Sequence, residues 1–252
     1  MSDPDLSGRV VLITGASRGI GAGLARRFAA TGCHLHILAD DPAVYSLAAE
    51  LGATGHLCDI TRSDDVHTTV GGIGPIQVLV NNAGLERITP VADPSAETEE
   101  IFRRVIEINV IGTYLVTRAA LQTMEPGARI INTASVWGRT AVADFAAYVA
   151  SKHAVIGFTK SLAKELGPRG IAVNAVCPGW VRTEASLRSL TVMAERAMRS
   201  EQDMLDEILA GQAMPGLMEP DDIAGLYLFL ASDLARNITG QSMGIDRGEF
   251  VS

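Results

Sequence analysis

The sequence predicts an α/β fold on a doubly wound parallel sheet, and three observations point to it. Short β-branched runs alternate with longer helical patterns, those runs are largely apolar without a break, and the first leads straight into a glycine-rich turn. In order they are Val10-Val11-Leu12-Ile13, Leu35-His36-Ile37-Leu38, Val78-Leu79-Val80, Arg129-Ile130-Ile131-Asn132 and Ile171-Ala172-Val173-Asn174-Ala175-Val176. Continuous apolarity, rather than in-and-out alternation, marks strands buried on both faces, as in a parallel sheet covered by helices. Between them Ile101, Val105 and Ile108 recur at helical spacing, as do Val155, Phe158, Leu162 and Leu166. No repeat, low-complexity tract or Pro/Ser-rich linker interrupts the chain, so residues 1–252 read as a single domain. After Pro178-Gly179 the rhythm changes. The stretch at about 183–218 is helical in character and holds Met193, Met198, Met204, Met214 and Met218, five of the eight methionines. Methionine serves as core filler or as an adaptable apolar surface, and this stretch is read as a helical substrate lid.

Composition narrows the function classes. With 252 residues, 47% hydrophobic and 20% charged, the chain can bury a full core, which excludes disorder and coiled coil. The 25 glycines suit tight turns and close helix-to-sheet packing. A net charge of -8 offers no basic surface to nucleic acid or anionic lipid. The longest uncharged run, Val66 to Leu85, is broken by Gly71, Gly72, Gly74, Pro75, Asn81 and Asn82, unlike a membrane span. Met1-Ser2-Asp3-Pro4-Asp5 is acidic and carries no apolar signal segment, so a cytoplasmic protein is expected. Cys33, Cys58 and Cys177 are odd in number and far apart, and read as small core residues in a reducing compartment. No His/Cys cluster has metal-ligand spacing, so no metal is expected.

Thr14-Gly15-Ala16-Ser17-Arg18-Gly19-Ile20-Gly21 follows the first strand and opens a helix with Leu24 and Phe28 on its apolar face. Glycines there let the backbone turn sharply and approach a pyrophosphate, which meets free helix N–H groups and the positive end of the helix dipole. Glycines also serve ordinary strand-to-helix turns, but Asp40 and Asp41 follow the second strand, where a carboxylate can accept hydrogen bonds from an adenosine ribose. The loop also reads Gly15-x-Ser17-x-Gly19, the pattern of a hydrolase nucleophile elbow. That elbow needs a histidine late in the chain. The histidines are His34, His36, His56, His67 and His153, none in the last 99 residues, and only one strand precedes the loop, so the hydrolase reading falls away.

Tyr148 and Lys152, four apart on a helical stretch, share one helix face. A free tyrosine, with a pKa of about 10, is a poor base at neutral pH, and lowering it by two to three units takes roughly 3 to 4 kcal/mol. One ammonium about 4 Å away at an effective dielectric near 20 supplies about 4 kcal/mol. Such pairs also occur on solvated helices. Ser135 distinguishes this one, because it lies just past the strand ending near Asn132, at the sheet's carboxyl edge.

Thr14 to Gly21, Asn81-Asn82-Ala83-Gly84, Asn109, Ser135, Tyr148-x-x-x-Lys152 and Pro178-Gly179 stand in the order and approximate spacing of the short-chain dehydrogenase/reductases, which the chain resembles from roughly Leu6 to Gly248. The resemblance implies a Rossmann-type fold of about seven strands and hydride transfer between a secondary alcohol and its ketone. It implies Tyr148 as general acid/base, Ser135 as hydrogen-bond partner of the reacting oxygen, Lys152 as the group that lowers the tyrosine pKa and holds the nicotinamide ribose, and Asn109 as anchor of a water in a proton relay. An amide within an apolar helix also suggests a task on physical grounds. For the cofactor it implies Gly15, Ser17, Arg18, Gly19, Ile20 and Gly21 at the phosphates, Asp40 at the ribose, Asp59 and Ile60 at the adenine, Asn82, Ala83 and Gly84 along the adenosine ribose, and Val181 and Thr183 at the carboxamide. Trp137, Phe145 and Trp180 are expected to wall the substrate pocket, which suggests an apolar or cyclic secondary alcohol; Glu86, Arg139 and Asp144 would suit a polyol or hydroxy acid, or are solvated surface charges. Three departures stand out: a stretch from Asp59 to Asn81 about one helical turn short, Gln77 where aspartate is common, and Asp246-Arg247-Gly248 in place of Asp-Gly-Gly.

NAD is the expected cofactor, because Asp40 would accept from a 2′-hydroxyl and repel a 2′-phosphate, while Arg18 argues the other way. A ketone reductase using NADPH and a non-catalytic dinucleotide-binding regulator are the alternatives. The helices at about 101–124 and 146–166 carry more apolar positions than one buried stripe needs, including Val110, Ile111, Tyr114 and Val149, and together with the resemblance they suggest a homotetramer.

Overall fold

The computed structural model describes residues 4–251, so the ends of the expected 1–252 domain, residues 1–3 and 252, lie outside the described residues. Each expected apolar run is a strand, with bounds shifted by a residue or two: β1 (Val10–Thr14), β2 (His34–Ala39), β4 (Val78–Asn81), β5 (Arg129–Thr133) and β6 (Ala172–Pro178). Two further strands, β3 (Thr54–Leu57) and β7 (Ser242–Ile245), are short and lie at the sheet edges. Their sequences, Thr-Gly-His-Leu and Ser-Met-Gly-Ile, are only partly buried and carry no continuous apolar run. Among the described residues these seven strands form one parallel sheet in the order β3-β2-β1-β4-β5-β6-β7. The order reverses between β1 and β4, the point where open α/β sheets leave a crevice at their carboxyl ends.

Both faces are covered, as the apolar runs require. On β1, Val11 and Ile13 point into one core and Leu12 into the other; β4 repeats this with Val78 and Val80 against Leu79. The first core is closed by helices α1 (Gly19–Ala29), α2 (Ala43–Leu51) and α9 (Pro220–Ala231). The second is closed by α3 (Ser63–Gly71), α5 (Thr113–Ala120) and α6 (Ala146–Leu166). The expected helix at 101–124 instead runs from α4 (Ala96–Ile106) through a π-helical turn, Glu107–Gly112, into α5. A π turn inserts one extra residue into the helical ladder, and such turns collect at functional sites.

The three sequence departures find physical reasons. Gln77 accepts from the Val10 N–H through Oε1 at 2.6 Å and joins the backbone of β1 to that of β5. The shortened stretch leaves α3 with nine residues, enough for Val66 and Val70 to reach the core. Arg247 adopts φ +54, a conformation that favours glycine, and its side chain donates to the Pro215 carbonyl at 2.8 Å, tying the carboxy-terminal segment to the turn after α8 (Glu201–Ala210).

The excursion at 183–218 holds α7 (Glu184–Ala197) and α8 and returns to where it began. A Val181–Met218 bridge and an Arg182–Glu219 ion pair at 2.8 Å fasten its two ends. The methionines do not act as one surface: Met193 and Met204 pack on an aromatic cluster, Met218 is buried in the main core, and Met198 and Met214 face solvent. Cys33, Cys58 and Cys177 are free thiols, the last two buried. Among the described residues, no helix is long and apolar enough to cross a membrane.

Candidate active site

A cleft of roughly 300 Å³ crosses the carboxyl edge of the sheet at the reversal point. Helix α1 begins there without a side-chain cap, so its first N–H groups are directed into the cleft. Glycine is required by contact: a Cβ on Gly15 would lie 2.6 Å from the Ala83 Cα, and one on Gly21 would lie 2.1 Å from the Gly15 carbonyl oxygen. Thr14 and Asn82 lock the two loops together. The Thr14 hydroxyl accepts from the N–H groups of Asn82 and Ala83 at 3.0 and 3.1 Å, and the Asn82 amide donates to the carbonyls of Thr14 and Gly15, both at 3.1 Å.

The cleft is lined by Gly15, Ser17, Arg18, Gly19, Ile20, Gly21, Asp40, Ile60, Asn82, Ala83, Gly84, Tyr148, Lys152 and Thr183. Asp59 is not brought in. Its carboxylate accepts from the Thr61 N–H and hydroxyl at 2.9 and 2.7 Å and faces Arg104 at 3.4 Å, while its neighbours Cys58 and Ile60 form the wall. Asp41 is committed as well: one oxygen accepts from the Ala43 N–H at 2.9 Å to start α2, and the other pairs with Arg18 at 3.0 Å. Asp40 is left facing the cleft. These residues fit a dinucleotide, since bare N–H groups and glycine-lined backbone line the cleft together with a carboxylate.

Where the cleft meets α6, Ser135, Tyr148 and Lys152 converge. Ser135 accepts from the Trp137 N–H at 3.1 Å, which orients the hydroxyl toward Tyr148. The buried Lys152 ammonium donates to the Thr133 carbonyl at 2.8 Å, and burial brings its pKa down to about 8. Burial, together with the nearby Glu86 carboxylate, raises the Tyr148 pKa, and the Ser135 hydrogen bond pulls the other way. Lys152 is the group expected to lower the tyrosine pKa, and it stands over the ring against these influences. Nζ is held by Thr133, 5.4 Å from the tyrosine ring centre, while partial burial of the phenol acts in the opposite direction.

Asn109 sits in the π turn and does not line the cleft. Its Oδ1 accepts from the Leu85 N–H at 2.7 Å, and its Nδ2 donates to the Leu85 carbonyl and the Ser151 hydroxyl at 3.0 and 2.9 Å. The amide thereby ties the Asn81–Gly84 loop to α6. Beyond Tyr148 lies a smaller pocket walled by Trp137, Trp180 and Val181, with the two indoles edge to face at 6.0 Å. Phe145 does not wall it; it supports Trp137 from behind at 5.0 Å. Arg139 lies over the Phe250 ring and Asp144 pairs with Arg196 at 3.2 Å, whereas Glu86 lines both cleft and pocket. Thr89, which sequence reasoning passed over, accepts from the Ala147 N–H at 3.0 Å, capping α6 one residue before Tyr148. A lone threonine 59 positions upstream carries no local signal for that task.

A family model described as enoyl-(acyl carrier protein) reductase matches residues 15–249. Momilactone A synthase from Oryza sativa subsp. japonica is 39% identical over 260 residues, covering 98% of this chain and 91% of its own. The chain belongs to the short-chain dehydrogenase/reductase family. An actinorhodin polyketide ketoreductase variant with NADPH superposes with a TM-score of 0.89 at 32% identity, covering 96% of this chain and 97% of its own. Ligand-free aldohexose dehydrogenase from Thermoplasma acidophilum gives 0.88 at 32% identity, covering 98% and 96%. The chain is thus an oxidoreductase of this family, whose members bind a nicotinamide dinucleotide.

The Gly21 contact generates a direct test. In Gly21→Ala the new methyl meets the Gly15 carbonyl and the Asn82 amide, so the loop must open at a cost of about 1–3 kcal/mol. Calorimetric titration should show dinucleotide affinity reduced at least about tenfold, with a lowered Tm.

Proposed function

We propose that the protein is an NAD-dependent oxidoreductase that interconverts a secondary alcohol and its ketone, with Tyr148 as general acid/base. The observation that carries this reading is the meeting of Ser135, Tyr148 and Lys152 where the dinucleotide cleft opens into the indole-walled pocket. Ser135, already accepting from Trp137, has its own proton left to donate to the substrate oxygen. Tyr148 exchanges the proton with that oxygen, and Lys152, held by Thr133, supplies positive charge and reaches the nicotinamide ribose. A bound nicotinamide ring would take up or return the hydride, and its cationic oxidised form adds to the charge that favours tyrosinate. Val181 and Thr183, which line the indole-walled pocket, would stand beside it, and the Thr183 hydroxyl also caps α7, so cofactor contact and lid position would be linked. The α7–α8 excursion serves as substrate lid. Asn109 acts as a positioning residue for the Leu85 loop and for the relay beyond Lys152. A non-catalytic regulator would have no use for Tyr148 set beside the buried Lys152 where cleft and pocket meet.

NAD is favoured because Asp40 lines the cleft while Arg18, which lines it too, is paired with Asp41. The NADPH reading rests on that same Arg18, which would have to leave Asp41 to meet a 2′-phosphate, and on the NADPH of the ketoreductase relative. For assembly, Ile111 and Tyr114 stand exposed on the α4–α5 helix, and Tyr114 lies edge-on to Phe158 of α6; this apolar face supports a homotetramer.

Tyr148→Phe should retain less than about a tenth of wild-type kcat while keeping nucleotide affinity, whereas Lys152→Ala should weaken both. Steady-state rates with an alcohol panel and a separate binding titration check this; an active Tyr148→Phe would refute the assignment. Wild type should prefer NAD over NADP by at least about tenfold in kcat/KM, and Asp40→Ser should narrow the gap by improving NADP. Light scattering should report a tetramer at micromolar concentration, and Ile111→Glu combined with Tyr114→Glu should reduce its mass.

A further inference from the structure

Building on the oxidoreductase reading above, we propose that Glu86 is a specificity-determining residue that accepts a hydrogen bond from a second hydroxyl of the substrate, so that the preferred substrate is a neutral hydroxylated ring or vicinal diol.

Three observations converge on Glu86. It is the one charged side chain among the residues lining the indole-walled pocket, and it also lines the dinucleotide cleft, so it stands at the junction where the reacting carbon must lie. Its surroundings do not consume it. The buried Ser189 hydroxyl meets the carboxylate, but each neighbouring cation is engaged elsewhere: Arg188 with Glu184 at 3.7 Å, Arg87 with the Glu86 main-chain carbonyl at 2.8 Å, and Lys152 with Thr133 at 2.8 Å. A carboxylate offers about four acceptor positions, so lone pairs remain for a donor in the pocket. Glu86 is half-buried where it lines the cavity, and desolvation there raises its pKa. A half-buried carboxylate with few partners gains from any further group that donates to it.

The pocket chemistry selects the donor. Trp137 and Trp180 line the pocket with aromatic surface, which suits the C–H surface of a ring. In the same pocket Glu86 accepts O–H and repels a carboxylate, which disfavours hydroxy acids. Its charge also acts on Tyr148, whose other close ionisable neighbours are Tyr227 and Cys177, with Ser135 as hydrogen-bond partner and Lys152 over the ring; of these Glu86 is the carboxylate, and it raises the tyrosine pKa. A substrate hydroxyl hydrogen-bonded to Glu86 would be adjacent to the carbon oxidised at Tyr148.

The chain's only two tryptophans wall this pocket, so their fluorescence reports its occupancy without turnover. NAD-loaded wild type and the variants Glu86→Ala and Glu86→Gln are titrated with cis-1,2-cyclohexanediol, cyclohexanol and 3-hydroxybutyrate, and kcat/KM is measured for each across pH. Wild type should bind the diol at least tenfold more tightly than cyclohexanol; Glu86→Ala should bring that ratio below threefold, and Glu86→Gln, which keeps one acceptor oxygen, should fall between. Removing the negative charge in Glu86→Gln should lower the Tyr148 pKa and move the acidic limb of the diol oxidation profile to lower pH. The proposal is overturned by a diol ratio that survives Glu86→Ala, by wild-type preference for cyclohexanol or the hydroxy acid, or by an acidic limb that stays in place. Glu86-dependent diol binding without any turnover would instead sink the alcohol-oxidation reading and leave the subsite standing.

Discussion

The structure depends on one close approach: the glycine loop after β1 lies against the end of β4 with no room for a side chain between them. Gly15 meets Ala83, Gly21 meets Gly15, and the Thr14 hydroxyl holds two N–H groups of the opposing loop. This contact sits where the helices change from one face of the sheet to the other. It closes the crevice floor, aims the uncapped start of α1 into the cleft and fixes where a phosphate can lie. Everything downstream, from the Asp40 carboxylate to the indole-walled pocket, is placed relative to that floor.

A second constraint concerns buried charge. Lys152 is an ammonium with almost no exposure to solvent, and the Thr133 carbonyl alone does not fully replace water around it, so its pKa falls to about 8. Thr133 is itself held through its hydroxyl by Tyr227 of α9 at 2.9 Å. The position of the lysine therefore depends on a helix from the far end of the chain. Tyr148 is half-buried, and its pKa is balanced between burial and Glu86 on one side and Ser135 on the other. The site is tuned by what surrounds these groups more than by the lysine–tyrosine pair taken alone.

A polar ladder runs through the second core and joins sheet to site. Thr159 meets Asn132, Asn132 meets Asn81, Asn81 meets Thr117, Thr117 meets the Thr113 carbonyl and Thr113 meets the Asn109 carbonyl, each at 2.7–2.9 Å. Buried polar groups of this kind are tolerated because nearly every member is satisfied, and their directionality sets one register for β4, β5 and the helices. The π turn completes the ladder by turning the Asn109 amide out to Leu85 and Ser151.

The sequence by itself determined the sheet's central strands, the uncapped glycine loop and the Ser135, Tyr148, Lys152 grouping, because each rests on local rules: unbroken apolar runs, glycine where a backbone must approach, and i,i+4 spacing on a helix. Edge strands β3 and β7 were legible only through family resemblance, since half-exposed Thr54–Leu57 and Ser242–Ile245 bury too little to impose a pattern. Tertiary structure alone decided the rest. It bonded the Asp59 carboxylate to Thr61 and paired it with Arg104, set Phe145 behind Trp137, divided the methionines of the α7–α8 excursion between core and solvent, and set burial and Glu86 against Ser135 at Tyr148. It also brought Glu86 into the pocket. Each of these outcomes depends on which distant atoms surround a side chain and exclude water from it, and neither the residue type nor its neighbours in the chain encode that distance.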